Sequence, residues 1–349
     1  MSSRQDLQPR LDSSHLTISN VPRLCHPEID QIQALAKERS AELGIVVPRF
    51  YDAHASMTPF LYSKAPVDRV VTTTLFNNIL YYIDDVLGED IIGAQASDSL
   101  AAMVIAVWRR GLRTAGLQAS DQRASDQRAS YRDSGQWESS ELEPAIETLL
   151  TAVDAVRNEI LAKSNEVFFE RLTESLVAHV RHVFRPRLYR NLPEYLQTRA
   201  HFGGMYLVFK MAEFASNLYV DDSVMESIPS LRSAEGACVH LGGLSNDLFS
   251  YPKEKHSDFN LVNAYLKLRL VSSLEEAVQC ALDLVNHFHA VYEESIAQTR
   301  ATIRHLPQDS RRVPEAYVES LQNILSASYH WQRFTERYRD PEHFFDDLQ

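Results

Sequence analysis

Apolar residues recur along most of the chain at the three- and four-residue spacing of an α-helix. Ile29, Ile32, Leu35 and Ala36 set this period within Pro27–Leu43, and it continues through Val67–Leu87 and Ala96–Leu117. It resumes over Pro144–Leu161, Asn165–Phe184, Pro193–Asn217, Leu231–Tyr251, Phe259–Leu268, Leu274–His305 and Pro314–Tyr338. Pro27, Pro144, Pro193 and Pro314 stand at or near predicted starts, where a missing N–H costs least. The alternation of Val, Ile and Thr that marks strands is scarce. The pattern predicts an all-α fold of about ten helices.

Two stretches fall outside it. Residues 1–20 are polar and predict a flexible N-terminal segment. Ala119–Ser130 is a tandem repeat, Ala-Ser-Asp-Gln-Arg-Ala-Ser-Asp-Gln-Arg-Ala-Ser, continued by the polar run Tyr131–Ser140. So short a duplication is no solenoid unit. It predicts an expanded, dispensable surface loop at about 118–140. Nothing in it separates two cores, so residues 21–349 read as one helical domain.

Composition narrows the function. With 44% hydrophobic residues, the 349-residue chain can bury a large core. A formal charge of −12 argues against a nucleic-acid partner, and an anionic ligand would need metal ions or a local basic cluster. Cys25, Cys238 and Cys280 are scattered, without zinc spacing, which favours a reducing, cytoplasmic setting. The polar start carries no signal peptide, and the longest apolar run, Ala101–Trp108, is too short for membrane insertion. Neither the Rossmann glycine fingerprint nor the P-loop pattern occurs.

Chemistry concentrates in three places. Asp84-Asp85 follows the apolar face of Leu80-Tyr81-Tyr82-Ile83, with Gly88 and Glu89 just beyond. Adjacent carboxylates repel and call for a cation, and hard oxygen donors suit magnesium. A solvated acidic helix end fits the same residues. Asn246, Ser250 and Glu254 recur at every fourth position, placing three oxygen donors along one helix face after the small Gly242-Gly243 pair. A solvent-facing polar stripe is the plainer alternative, and Pro252 would kink or close that helix. Arg199, Lys253 and Arg337 could together supply a diphosphate's contacts, although each alone resembles an ordinary surface cation.

In combination and order, these motifs resemble the class I terpene synthases of the microbial, single-domain type. Asp84-Asp85-x-x-x-Glu89 is similar to the family's aspartate-rich motif, and Asn246-Asp-x-x-Ser250-x-x-Lys253-Glu254 resembles its second metal motif. Arg199 resembles the diphosphate sensor, on a helix that breaks at Phe202-Gly203. Arg337-Tyr338 resembles the C-terminal Arg-Tyr pair, preceded by Trp331 as an aromatic wall residue. The resemblance runs from about Pro22 to Tyr338. Phe202 stands where many relatives carry a polar linker, and Gly88 replaces a third aspartate.

The resemblance implies an α-helical barrel with three magnesium ions, for which manganese can substitute. Asp84, Asp85, Glu89, Asn246, Ser250 and Glu254 would be their ligands. Arg199, Lys253, Arg337 and Tyr338 would bind the diphosphate, Gly203 would take part in the ionisation trigger, and Trp331 and Tyr81 would line the cavity. The implied activity is ionisation of a prenyl diphosphate, farnesyl diphosphate first, and cyclisation to a sesquiterpene by a monomer or homodimer. A chain-elongating prenyltransferase would carry two aspartate-rich motifs, and a non-catalytic helical binding protein would have no reason to carry all these motifs in order. Within a continuous helix to Tyr338, Trp331 and Arg337 would lie roughly 120° apart.

Overall fold

The computed structural model describes residues 11–45, 51–87, 94–117, 142–183 and 188–349. Among them the regular structure is helical, and the one β feature is a parallel bridge between Leu11 and Phe345. In chain order the helices are α1 (Ile29–Glu42), α2 (Tyr51–Leu61), α3 (Val67–Leu87), α4 (Ala94–Arg110) and α5 (Leu142–Lys163). There follow α6 (Glu166–Val183), α7 (Leu192–Phe202), α8 (Met205–Ser216), α9 (Asp222–Ser227) and α10 (Pro229–Phe249). The last are α11 (Tyr251–Glu254), α12 (Leu261–Lys267), α13 (Leu274–Arg304) and α14 (Gln308–Phe334). No helix of the described residues is long and apolar enough to cross a membrane.

The helices group into two compact units. One comprises Met1–Cys25, Arg187–Met205 and Val220–Gln349; the other comprises His26–Pro186 and Tyr206–Tyr219. In the second unit, α3 is buried along most of its length, and in its core Trp108 meets Phe76 edge-on and stacks on Phe169, with centroids 5.6 and 5.5 Å apart. Trp108 satisfies its indole N–H on Thr173 at 2.9 Å. In the first unit, α10 lies against α13 and α14. Leu231, Ala234, Leu241, Leu244 and Leu248 of α10 are fully buried, as are Val278 and Val285 of α13 and Leu321 of α14.

Four expectations change. Residues 11–20, predicted to be flexible, are held: Leu16 and Ile18 are fully buried, Ser13 bonds Asp347 at 2.6 Å, and the Thr17 N–H donates to Asn286 at 2.7 Å. Residues 1–10 and the loop at about 118–140 lie outside the described residues. The stretch Pro193–Asn217, read from its period as one helix, is two: the chain breaks after Phe202, where the resemblance placed the break, and turns at Gly203-Gly204 with Gly204 at φ 67°, a conformation that favours glycine. Pro314 does not open α14 but sits inside a helix that begins at Gln308.

The fourth correction touches the site. The last long helix ends at Phe334, not at Tyr338. Thr335 turns extended (φ −72°, ψ 140°) and caps a separate 3-10 turn, Glu336–Tyr338. The helical angle between Trp331 and Arg337 therefore does not apply. Tyr338 instead folds back so that its ring meets Trp331 edge-on, centroids 5.9 Å apart.

Candidate active site

The site of the first unit is built where α7, α10 and the start of α12 meet. Asn191 caps α7 by accepting from the Glu194 N–H at 2.9 Å, and Pro193 lies in its first turn. Tyr195 and Arg199, one turn apart on this helix, are both buried. On α10, Asp247 falls on the apolar face with Leu244 and Leu248 and is completely buried.

Asp247 organises the neighbourhood. Arg199 donates from Nε to Asp247 Oδ1 at 2.8 Å. Tyr195 donates its hydroxyl to Asp247 Oδ2 in a short bond, and the Leu261 N–H reaches the same oxygen at 3.2 Å. Burial, aided by the nearby Glu254, lifts the Asp247 carboxyl to about 6 against the pull of Arg199. Burial alone would lower the Arg199 guanidinium, but Asp247 and its neighbours outweigh it and hold the cation fully charged.

The second metal motif of the sequence stands beside this pair. Arg199 Nη2 donates to Asn246 Oδ1 at 3.1 Å, and Asn246 Nδ2 donates to Gln332 at 3.1 Å and to the Tyr338 hydroxyl at 2.9 Å. The amide oxygen thus faces the arginine and its NH2 faces the C-terminal pair. Helix α10 is interrupted at Ser250, yet Ser250 N bonds Asn246 O at 2.8 Å and Glu254 N bonds Ser250 O at 3.1 Å. The helical path therefore continues through Pro252, which sits in the first turn of α11. Asn246, Ser250 and Glu254 keep their fourfold register.

Their surroundings fit a hard divalent cation. Ser250 Oγ is buried and has no hydrogen-bond partner among the described residues. Such an orphan oxygen calls for a ligand, and amide, hydroxyl and carboxylate oxygens are magnesium's preferred donors. Asn260, itself fully buried, donates to Glu254 Oε2 at 3.1 Å and to the Asp247 carbonyl at 2.8 Å, so the carboxylate is held from behind. Among the described residues no group of three His, Cys, Asp and Glu side chains is gathered to hold a metal.

The remaining candidates divide. Arg337 is half-buried and Tyr338 buried, and Lys253 is exposed on α11. Trp331 is buried against Tyr338. Gly203 lies under Arg199: a Cβ there would come within 3.0 Å of Nη1. Phe202 meets Phe259 edge-to-face, ring centroids 5.4 Å apart, so an aromatic contact occupies this position. In the second unit, Asp84 and Asp85 lie in the last turn of α3, and half-buried Tyr81 points its hydroxyl at the Met57 sulfur at 3.5 Å. Glu89 lies outside the described residues. The sequence reading missed Asp247, Tyr195, Gln332 and Asn260. The signal for Asp247 was a carboxylate on the apolar stripe of a helix.

The family model described as terpene synthase family 2, C-terminal metal binding, matches residues 75–288. The chain belongs to this family. The terpene synthase match contains α7, α10 and α11 and so the whole Arg199, Asn246, Ser250 and Glu254 arrangement. A sesquiterpene synthase of Cyclocybe aegerita is 27% identical over 193 residues, 54% of this chain and 52% of that protein. A 10-epi-cubebol synthase of Sorangium cellulosum is 25% identical over 149 residues, 41% of this chain and 44% of its own. The chain spans about half the length of the curated relatives it matches. Among solved structures, a cucumene synthase variant superposes with TM-score 0.70 at 13% identity, covering 90% of this chain and 98% of that one. Hedycaryol synthase gives 0.70 at 16% identity, covering 89% and 96%. At these identities the likeness is one of fold, and the fold of this terpene synthase is the all-α one expected.

Proposed function

We propose that this protein is a magnesium-dependent class I terpene cyclase that ionises farnesyl diphosphate and closes the resulting cation to a sesquiterpene. The observation that carries the reading is the orphaned, buried Ser250 Oγ between Asn246 and Glu254, with the charged Arg199 bonded to the same asparagine. A fully satisfied structural network would not leave that oxygen without a partner. The sesquiterpene assignment is supported by relatives named as a sesquiterpene synthase and a 10-epi-cubebol synthase.

Asn246, Ser250 and Glu254 would hold magnesium, with Asp84, Asp85 and Glu89 as the ligands of the aspartate-rich motif. Bound magnesium supplies Lewis-acid stabilisation of the negative charge that develops on the leaving diphosphate. Arg199 contributes through Nη1, the guanidinium nitrogen that carries no hydrogen bond within the described residues. Lys253, Arg337 and the Tyr338 hydroxyl complete the anion contacts, and their fixed charges act where the charge of the transition state appears. Gly203 keeps the space at Nη1 open. When the allylic C–O bond breaks, the electron pair leaves with the diphosphate. Trp331 and Tyr81 then offer ring faces to the hydrocarbon cation and keep water from it.

Incubation with geranyl, farnesyl and geranylgeranyl diphosphates and magnesium, read by gas chromatography, tests the proposal. Cyclic fifteen-carbon products from the farnesyl substrate are expected. Lengthened linear diphosphates would instead mark a chain-elongating prenyltransferase, and turnover of the twenty-carbon substrate alone would overturn the sesquiterpene assignment.

A further inference from the structure

The contacts of Asp247 exceed what an ion pair alone needs. Two guanidinium positions of Arg199 are taken inside the protein, Nε by Asp247 and Nη2 by Asn246, at 2.8 and 3.1 Å. A guanidinium fixed at two of its three nitrogens cannot rotate, so the direction of Nη1 is set before any ligand arrives. The anchor is itself anchored. Asp247 Oδ2 receives the Tyr195 hydroxyl and the Leu261 N–H, and the Asp247 carbonyl receives Asn260 Nδ2. Tyr195 is immobilised among rings, with Tyr189 and Phe259 both 5.2 Å from it, centroid to centroid. Gly243 lies against the stem of Arg199, 3.5 Å from Cγ by its missing Cβ, which lets α10 approach the arginine closely.

We infer that Asp247 and Tyr195 are positioning residues that lock the Arg199 guanidinium so that Nη1 is held ready for a diphosphate oxygen. The inference rests on the diphosphate reading of the site and adds to it two residues that touch no substrate. A buried arginine with one loose carboxylate partner would sample several rotamers and lose part of its binding to ordering. Tyr195 removes that freedom at the carboxylate end. It lies one turn before Arg199 on the same helix, so sensor and clamp move as one piece. Asn260 extends the brace to Glu254, tying the arginine's anchor to a metal-binding carboxylate through one side chain.

A merely structural role for Tyr195 and Asp247 predicts lower stability and unchanged anion affinity of the folded protein. Positioning predicts a dependence on Arg199 itself. The experiment is calorimetric binding of inorganic pyrophosphate with magnesium to the full chain, in four proteins: unsubstituted, Tyr195→Phe, Arg199→Lys and the double substitution. Tyr195→Phe removes one hydroxyl and keeps the ring, and circular dichroism and melting temperature monitor folding. It is expected to weaken pyrophosphate binding about tenfold, within the range of a lost bond to a charged group. On the Arg199→Lys background the same change is expected to have no further effect, because a lysine has no fork for the clamp to orient. Asp247→Asn, which keeps the shape, should behave likewise with a larger loss. Additive losses in the double variant, or equal affinity in all four proteins, would overturn the clamp alone. No binding by the unsubstituted protein would overturn the diphosphate reading and the clamp with it.

Discussion

Two carboxylates, one in each unit, are held by arginines and lead to opposite conclusions. In the second unit, Glu159 accepts from Arg39 at 3.1 and 2.7 Å, from Thr72 at 2.6 Å and from Lys163 at 2.9 Å. Every partner is a side chain of α1, α3 or α5, and Lys163 goes on to pair with Asp68 of α3 at 3.1 Å. Burial raises the Glu159 carboxyl, but the bonds from Arg39, Thr72 and Lys163 outweigh it and bring it down to about 2. In the first unit, Asp247 is buried more deeply and its network does not close: it runs through Arg199 to Asn246 and stands beside an unpartnered Ser250 oxygen. A satisfied network stabilises a fold. One that leaves a buried oxygen and a guanidinium edge without a partner among the described residues is what the proposed ligand site requires. Both motifs are Arg–carboxylate pairs, so ion-pairing alone would not tell them apart.

The largest effect expected from this contrast is on turnover. Asn246→Ala combined with Ser250→Ala, or Asp84→Asn alone, should reduce activity by about a hundredfold or more while the helical circular dichroism persists. Near-normal turnover in these variants would erase the distinction between the two networks. The mirror experiment is Glu159→Gln. It should lower stability by roughly 2–3 kcal/mol, measured by denaturant unfolding at pH 7, and leave the turnover of folded protein unchanged. Because the Glu159 carboxyl is depressed in the folded state, its contribution is fully present above about 4.5 and is lost as pH falls toward about 2. Glu159→Gln should accordingly flatten the acid side of the stability profile, and an unaltered profile would contradict the closed-network account.

Smaller effects sharpen the picture of the cavity. Trp331→Phe should keep much of the activity, whereas Trp331→Leu should release more early-quenched acyclic or monocyclic product. A cation–π contact in a desolvated site is worth on the order of 2 kcal/mol, enough to redirect competing exits. A lower melting temperature with an unchanged product ratio would assign Trp331 to packing against Tyr338. The smallest effect is expected from deleting Ala119–Ser130. Stability should change by less than about 0.6 kcal/mol, since loop length enters only logarithmically, and a marked loss of melting temperature would refute the loop reading.

The sequence disclosed what is periodic and what is contiguous. Helix α3 was bounded to the residue because its apolar period is long; in the structure the N–H groups of Arg69 and Val70 bond the Pro66 carbonyl at its start. Helix α2 went unread, and α14 was misplaced at both ends. Its interior proline mimicked a start, and its end at Thr335 depends on a side-chain cap that no spacing reveals. In the site, Asn246, Ser250 and Glu254 were legible because one helical repeat holds them. Asp247 was not. Its role exists only through Tyr195, Arg199 and Leu261, which approach it from other helices, and a motif reading names it without giving it a role.

The central claim is that the open network serves ionisation of a diphosphate. The most direct measurement follows pyrophosphate release and extracted hydrocarbon together, from farnesyl diphosphate, with magnesium and then with a chelator, in the unsubstituted protein and in the Asn246→Ala, Ser250→Ala double variant. The account predicts equal amounts of pyrophosphate and cyclic product with magnesium, none with chelator, and almost none from the variant. Intact substrate in every sample, or release that persists in the chelator or in the variant, would contradict it.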